Sequence, residues 1–174
     1  KETRYYKHGD RVFLAGQSGL RFTRTYLPDV DVASFELGGT NWAKDKKHVY
    51  YEHSIIRGAD PDTFTFVEDR RAIGEDSEAL YLMVKNWGTD RFIRVPELSS
   101  DTLQQLGQFY FKDADTVIYQ SAEESRGYKI LSEAHAPTFV LIDGSGSYYD
   151  PQVAKDTDHV WIDGELQEGI GPGE

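Results

Sequence analysis

Aspartates at alternate positions are the first residues in this chain whose spacing suits chemistry. Asp29/Asp31, Asp60/Asp62, Asp113/Asp115 and Asp156/Asp158 each offer paired hard oxygen donors, the ligands that Ca²⁺ takes. In the last two pairs the carboxylates fall in a turn before an apolar anchor, where a loop site would form. The related turn at Asp45 carries Lys47 in the second place, which repels a cation, so the aspartates read as turn formers. Asp143-Gly144-Ser145-Gly146-Ser147 opens like a calcium loop but lacks glycine at the sixth place and glutamate at the twelfth. The histidines, His8, His48, His53, His135 and His159, have no metal-ligand spacing. His48 and His159 each precede a valine and read as one shared strand face. Gly16-Gln17-Ser18-Gly19-Leu20 fails the Gly-x-Ser-x-Gly elbow, and no phosphate-binding glycine loop is present. No catalytic residue, metal or cofactor is expected.

Binding is the other chemistry that the residues offer. Glu75-Asp76 with Glu78, and Glu123-Glu124, are acidic clusters in expected loops, where complementary charge would speed encounter with a basic partner. Arg126, Tyr128, Tyr148 and Tyr149 border loop segments and are the candidate anchors, because tyrosine and arginine dominate interface energetics. Core packing competes with that role for each tyrosine.

These residues would be positioned by repeated β units. Residues 42–67 read as a strand, a turn at Lys44-Asp45-Lys46-Lys47, an aromatic strand around Val49-Tyr50-Tyr51, a short return strand and a stop at Asp60-Pro61-Asp62-Thr63-Phe64. In that stop, Asp60 can cap a helical turn, Pro61 suits its first position and Phe64 returns to the core as a plug. Lys-Asp-x-x-x-Val recurs at Lys112/Asp113/Val117 and Lys155/Asp156/Val160. A first copy is expected around Val12, turning at Ala15-Gly16, and a degenerate copy around Phe92 after Trp87-Gly88-Thr89-Asp90. Anchors at Val12, Val49, Phe92, Val117 and Val160 are unevenly spaced, which argues against a strict solenoid and for units sharing a continuous sheet or two packed sheets. Residues 68–79 are expected as an exposed loop, Leu80-Tyr81-Leu82-Met83-Val84 as a buried strand, and Ser100 to Gly107 as a short capped helix. Asp163-Gly164 is a two-residue hairpin turn. Residues 143–147 read as a flexible connector, and the Gly-rich acidic end from Gln167 is expected to fray. The fold class is mainly β: repeated antiparallel units with short helical turns between them, forming one domain over 1–174 that divides into lobes at 1–70 and 80–166.

The totals agree. Among 174 residues, eleven Tyr and nine Phe against one Met favour strands. A net charge of −11 repels phosphate, so nucleic acid and anionic membrane are not expected partners. With no cysteine there is no disulfide or thiolate chemistry, and no apolar run reaches the ~18 residues of a membrane helix. The chain begins at Lys1 rather than Met, as expected of a segment released from a leader or lipid anchor.

At Lys44-Asp45-Lys46-Lys47-His48-Val49-Tyr50-Tyr51, then Gly58-Ala59-Asp60-Pro61-Asp62-Thr63-Phe64, the chain resembles the DKNYY family of bacterial repeat proteins, whose units read Y-A-K-D-K-N-x-V-Y-Y and then G-A-D-P-x-T-F. The likeness is close over residues 42–64, fair over 109–119 and 153–164, and covers about half the chain. It implies an exported, periplasmic or cell-surface protein without enzymatic activity, in a family where some members resemble immunity partners of interbacterial toxins. The expected function is therefore a protein-binding module that occludes a cognate secreted toxin. The alternative is a module binding glycan or peptidoglycan through an aromatic sheet face.

Overall fold

The computed structural model describes residues 4–18, 21–68, 72–84, 91–121, 127–143 and 151–173. The chain divides into two compact halves, residues 1–83 and 84–174. Both are almost wholly β, built from small antiparallel sheets whose strands follow one another in sequence order.

In the first half, β1 (Tyr5–His8), β2 (Arg11–Ser18) and β3 (Arg21–Tyr26) form a three-stranded sheet. β4 (Glu36–Leu37), β5 (Trp42–Lys44), β6 (Val49–Tyr51) and β7 (Ser54–Ile55) form a four-stranded one, followed by β8 (Thr65–Glu68), β9 (Ile73–Glu75) and β10 (Leu80–Val84). The second half opens with β11 (Arg91–Val95). β12 (Gln104–Leu106), β13 (Tyr110–Lys112), β14 (Val117–Gln120) and β15 (Tyr128–Ile130) make one four-stranded sheet. β16 (Val140–Asp143), β17 (Val153–Lys155), β18 (Val160–Ile162) and β19 (Glu165–Leu166) make another. The expected continuous sheet is thus replaced by separate meanders, because each plug carries the chain out of one sheet before the next begins.

Strand register identifies the repeats directly. Lys7 pairs with Val12, Lys44 with Val49, Glu75 with Leu80, Lys112 with Val117 and Lys155 with Val160. The third anchor is therefore Leu80, not Phe92, which lies on β11. Residues 68–79, expected as an exposed loop, hold the end of β8 and the whole of β9, with Ala72 and Ile73 buried; residues 69–71 lie outside the described part. Ser100 to Gly107 is not a capped helix. Ser99 caps a single 3₁₀ turn at Ser100–Thr102 by accepting from the Asp101 N–H, and the alternating residues that follow pair as β12. A second 3₁₀ turn spans Ala136–Thr138. Ala15-Gly16 lies inside β2 rather than in a turn. The Asp163-Gly164 hairpin turn holds, with both residues at positive φ, 50° and 77°, and Ile162 paired to Glu165.

Three of the plugs end in a phenylalanine wedged between aromatics of consecutive repeats, while the one at Ser100–Thr102 ends in Leu103. Phe35 lies 5.7 Å from the Tyr5 ring and 6.2 Å from Tyr50. Phe64 lies 5.6 Å from Trp42 and 5.7 Å from Tyr81. Phe139 lies 5.5 Å from Tyr110 and 5.2 Å from Trp161. All three are buried, and each contributes roughly 2–3 kcal/mol of apolar burial. The repeated lysine ties the carbonyls of the plug. Lys7 donates to the Val32 and Phe35 oxygens, Lys44 to Pro61 and Phe64, Lys112 to Ala136 and Phe139, and Lys155 to Pro172. Glu75 occupies this register in the third repeat and accepts instead from the Thr65 hydroxyl at 3.3 Å.

Lys112 is the most enclosed of these ammonium groups, and burial lowers its pKa. Its donors meet the two carbonyls at 2.8 and 2.9 Å. Lys112→Glu is expected to destabilise the protein by about 3–5 kcal/mol, because it turns a carboxylate onto two carbonyl oxygens in a dry site. Lys112→Met is expected to lose only about 1 kcal/mol, the neutral chain escaping the desolvation cost. Urea denaturation of the two variants checks the ordering.

Candidate binding face

The side chains best placed to meet a partner lie on the outer face of the first sheet. Alternation sends Tyr5, Val12 and Leu14 inward, where they join Leu27, Phe35, Ala43 and Tyr50 in a core cluster. The opposite parity faces out. Register places Tyr6, Phe13 and Tyr26 in one row across β1, β2 and β3. Tyr6 stacks on Phe13 with ring centres 5.5 Å apart and planes 19° from parallel, and Tyr26 meets Phe13 edge-on at 5.9 Å. Arg24 lies over the Phe13 ring at 5.4 Å and Arg11 over Tyr26 at 5.5 Å. Tyr6 and Tyr26 stay about half exposed, and Phe22, on the same face of β3, is 77% exposed.

Arg11 and Arg24 are the cations placed on this face, and the segment that builds the sheet is basic as a whole. Residues 1–27 carry six Lys or Arg against two Asp or Glu, on a chain whose net charge is −11. That asymmetry was readable from the sequence. The aromatic row was not, because Tyr6, Phe13 and Tyr26 become neighbours only once the register of two hairpins is known.

The aspartates expected as turn formers have a larger part. Asp45 accepts from the N–H groups of Lys47 and His48 in its own turn at 2.7 and 2.8 Å, from the Tyr50 hydroxyl at 2.9 Å, and from the N–H of Asp31 in the preceding plug at 2.6 Å. Asp76 repeats the pattern with Glu78, Ala79, Tyr81 and the plug N–H of Asp60. Asp113 does so with Asp115, Thr116 and Ser99, and Asp156 with Asp158, His159 and His135. One carboxylate thus folds its own turn and fastens the plug before it. Burial by itself raises the pKa of Asp45, Asp76 and Asp156, but the converging N–H and O–H donors outweigh it and hold all three below the ordinary carboxylate value. Asp31, bonded to Lys46 and Ser34, is held down at about 2. In three Asp-x-Asp pairs the first carboxylate accepts the N–H of the second residue, at 3.0 Å for Asp60, 2.9 Å for Asp113 and 2.8 Å for Asp156, a turn geometry. Among the described residues, no group of three or more His, Asp or Glu gathers as a metal site.

Four of the side chains selected from the sequence as partner-binding, Glu75, Asp76, Glu78 and Tyr128, lie among the described residues. Asp76 is one of these turn-and-plug fasteners, its carboxylate occupied by four donors. Glu75 sits half-buried at the end of β9, and Glu78 is exposed in the turn. Tyr128 is core, 3% exposed, its hydroxyl donating to Glu97 at 2.7 Å beneath an open depression of about 550 Å³ lined in part by Arg91, Phe92 and Arg94. Glu123, Glu124, Arg126, Tyr148 and Tyr149 lie outside the described residues. His48 and His159 do share a strand face, each edge-on to the aromatic ring two residues on, Tyr50 at 5.9 Å and Trp161 at 5.4 Å. Among the described residues no helix is long and apolar enough to cross a membrane.

No curated protein and no solved structure matches the chain. The DKNYY family model matches residues 5–171, nearly the entire length, and extends the likeness through the Glu75 repeat that departs most from the motif. The chain belongs to the DKNYY family.

Proposed function

We propose that this chain is a non-enzymatic protein-binding module, and that its partner is a secreted antibacterial toxin which it neutralises by occlusion at the periplasmic or cell-surface side. The observation that carries the binding role is the outer face of the first sheet. Tyrosine, phenylalanine and arginine lie there in a pre-ordered row, which is the composition of interface hot spots held at low entropic cost. The motif residues support it from the other side, since Lys44, Asp45, Asp76, Lys112, Asp113 and Asp156 are engaged in turns and plugs.

The test is capture of the adjacent gene's product followed by calorimetry. One-to-one binding that abolishes the partner's toxicity is expected. Arg24→Ala and Tyr26→Ala are each expected to weaken it about 30-fold or more while leaving thermal unfolding unchanged. Absence of binding to that product overturns the toxin reading. Intact binding by the double variant moves the interface off this face.

The near-parallel Tyr6 and Phe13 rings favour a second reading, stacking of a glycan on the same row. Ring proton shifts of Tyr6 and Tyr26 on adding cell-wall fragments would report it. Tryptophan emission would not, because Trp42 and Trp161 are buried and Trp87 lies outside the described residues.

A further inference from the structure

The two guanidinium groups on the first sheet decide which charge a partner must bring to it. Arg11 stands two residues before Phe13 on β2, Arg24 stands two residues before Tyr26 on β3, and Phe13 pairs with Tyr26. Each arginine crosses to the ring on the other strand, Arg11 to Tyr26 at 5.5 Å and Arg24 to Phe13 at 5.4 Å, the diagonal contact of an antiparallel pair. Both arginines are exposed. A guanidinium over a ring keeps its N–H donors around its own edge, where a carboxylate can meet two of them at once.

The sheet supplies no acid to answer them. Neither Asp nor Glu occurs in β1, β2 or β3. Asp10, in the turn before β2, lies 4.0 Å from the Arg11 Nε with its side chain 96% exposed, too far and too well hydrated to neutralise it. Among the described residues Arg24 meets the Phe13 ring and no carboxylate. Arg4 differs, being bonded to Glu52 at 2.6 Å. Residues 28–174 carry 13 Lys or Arg against 28 Asp or Glu, so a long polyanion or an anionic membrane meets repulsion that a short acidic segment escapes. A sugar ring stacking on Phe13 or Tyr26 would have to displace the cation over it, whereas a carboxylate uses that cation where it lies.

We propose that this face takes an acidic segment of a partner protein, with a carboxylate on the Arg24 guanidinium and an apolar side chain two residues along against Phe22. The proposal rests on the reading of this face as the binding surface and adds the chemistry of what it binds. Phe22 is 77% exposed and stands two residues before Arg24 on the same face of β3, about 6.5–7 Å along the strand. Alternate side chains of an extended partner segment are separated by the same step, so acid and apolar residue reach their seats together. Arg11 beside Tyr26 offers a second cation to a further acidic residue. The acidic clusters of the sequence favour a basic partner; this face favours the opposite sign.

The test uses the full chain and the capped pentapeptide Leu-Thr-Glu-Thr-Leu, which offers leucine two residues from glutamate in either chain direction. At low salt and millimolar peptide it is expected to shift the Arg24 Nε–H and Phe22 ring signals. Glutamine in place of the glutamate is expected to weaken binding by about 10-fold or more, and serine in place of both leucines by about 3-fold. The Arg11→Glu/Arg24→Glu double variant is expected to reverse the preference and select the peptide with lysine at the centre, which a merely structural role for the arginines would not produce. Equal binding of the glutamate and glutamine peptides overturns the proposal, as does the absence of a shift at both residues. Shifts caused by cell-wall fragments and not by the peptide give the face to a glycan and overturn it too. The peptide requires no neighbouring gene, so the two readings fail separately. A discriminating peptide without capture of the adjacent gene's product removes the toxin alone, and capture with an indifferent peptide removes the acidic segment alone.

Discussion

Asp45→Ala is expected to lower stability by roughly 3–5 kcal/mol, among the largest effects of any single substitution in the first half. Three N–H groups and one hydroxyl converge on that carboxylate, which is 3% exposed. A buried donor left without an acceptor costs about 1–3 kcal/mol, and the charged acceptor made each bond stronger than a neutral one. Asp45→Asn is the informative control. Its amide oxygen can keep the bonds to Lys47 and His48, but its NH₂ then faces the Asp31 N–H donor to donor. About half the loss is therefore expected for Asn. Urea denaturation of both variants, with exposed Asp62→Ala staying within about 0.5 kcal/mol, checks the claim. If Asn equalled Ala, the turn would carry the whole effect and the plug bond none.

Acid should dismantle the protein through the same groups. The carboxyls of Asp45, Asp76 and Asp156 are held below the ordinary value of 3.8, and Asp31 at about 2. The unfolded chain therefore binds protons at a pH where the folded chain does not, and stability rises with pH across that interval. Their contribution is complete above about pH 5, begins to fall as pH drops through the unfolded value, and is gone below the folded ones. Unfolding free energy measured from pH 6 to 2 is expected to be flat at first and then to fall steeply. In Asp45→Ala the slope should decrease by about one proton. A stability that stayed level down to pH 3 would contradict the bonding described here. Salt should trim only the Asp31 share, since its partner Lys46 is 61% exposed and open to screening.

The architecture was legible where sequence and geometry share a period. The residues around Lys44, Lys112 and Lys155 gave three central hairpins, because lysine, turn aspartate and valine each do one job at a fixed offset. The third repeat escaped notice because two of those jobs changed hands. Glu75 stands for the lysine and Leu80 for the valine, while Trp87-Gly88-Thr89-Asp90 imitates the start of another copy. The capped helix expected from Ser100 to Gly107 is instead one 3₁₀ turn capped by Ser99 and a hairpin turning at Gly107, since Gln104-Gln105-Leu106 gains more from pairing with Tyr110–Lys112 than from a lone helical turn. The acidic triplet at Glu75, Asp76 and Glu78 looked like surface charge, yet its middle residue is a structural acceptor. Spacing alone does not distinguish a solvated carboxylate from one surrounded by amide donors. The outer face of the first sheet was hidden for a different reason, being assembled from three strands rather than written in one.

The aspartate that reaches back to the preceding plug also governs how such a gene can change in length. Each bond joins a turn to the plug before it, so no single repeat holds both ends of its own bond. An insertion or deletion running from one plug to the same point in the next leaves every acceptor with a donor, whatever its exact residue count. One that starts and stops elsewhere strands a carboxylate and a set of N–H groups on either side of the cut. Gain and loss of coding sequence should therefore be tolerated in whole plug-to-plug steps, which explains how anchors 31 to 43 residues apart, from Val12 through Val49, Leu80 and Val117 to Val160, coexist in one array.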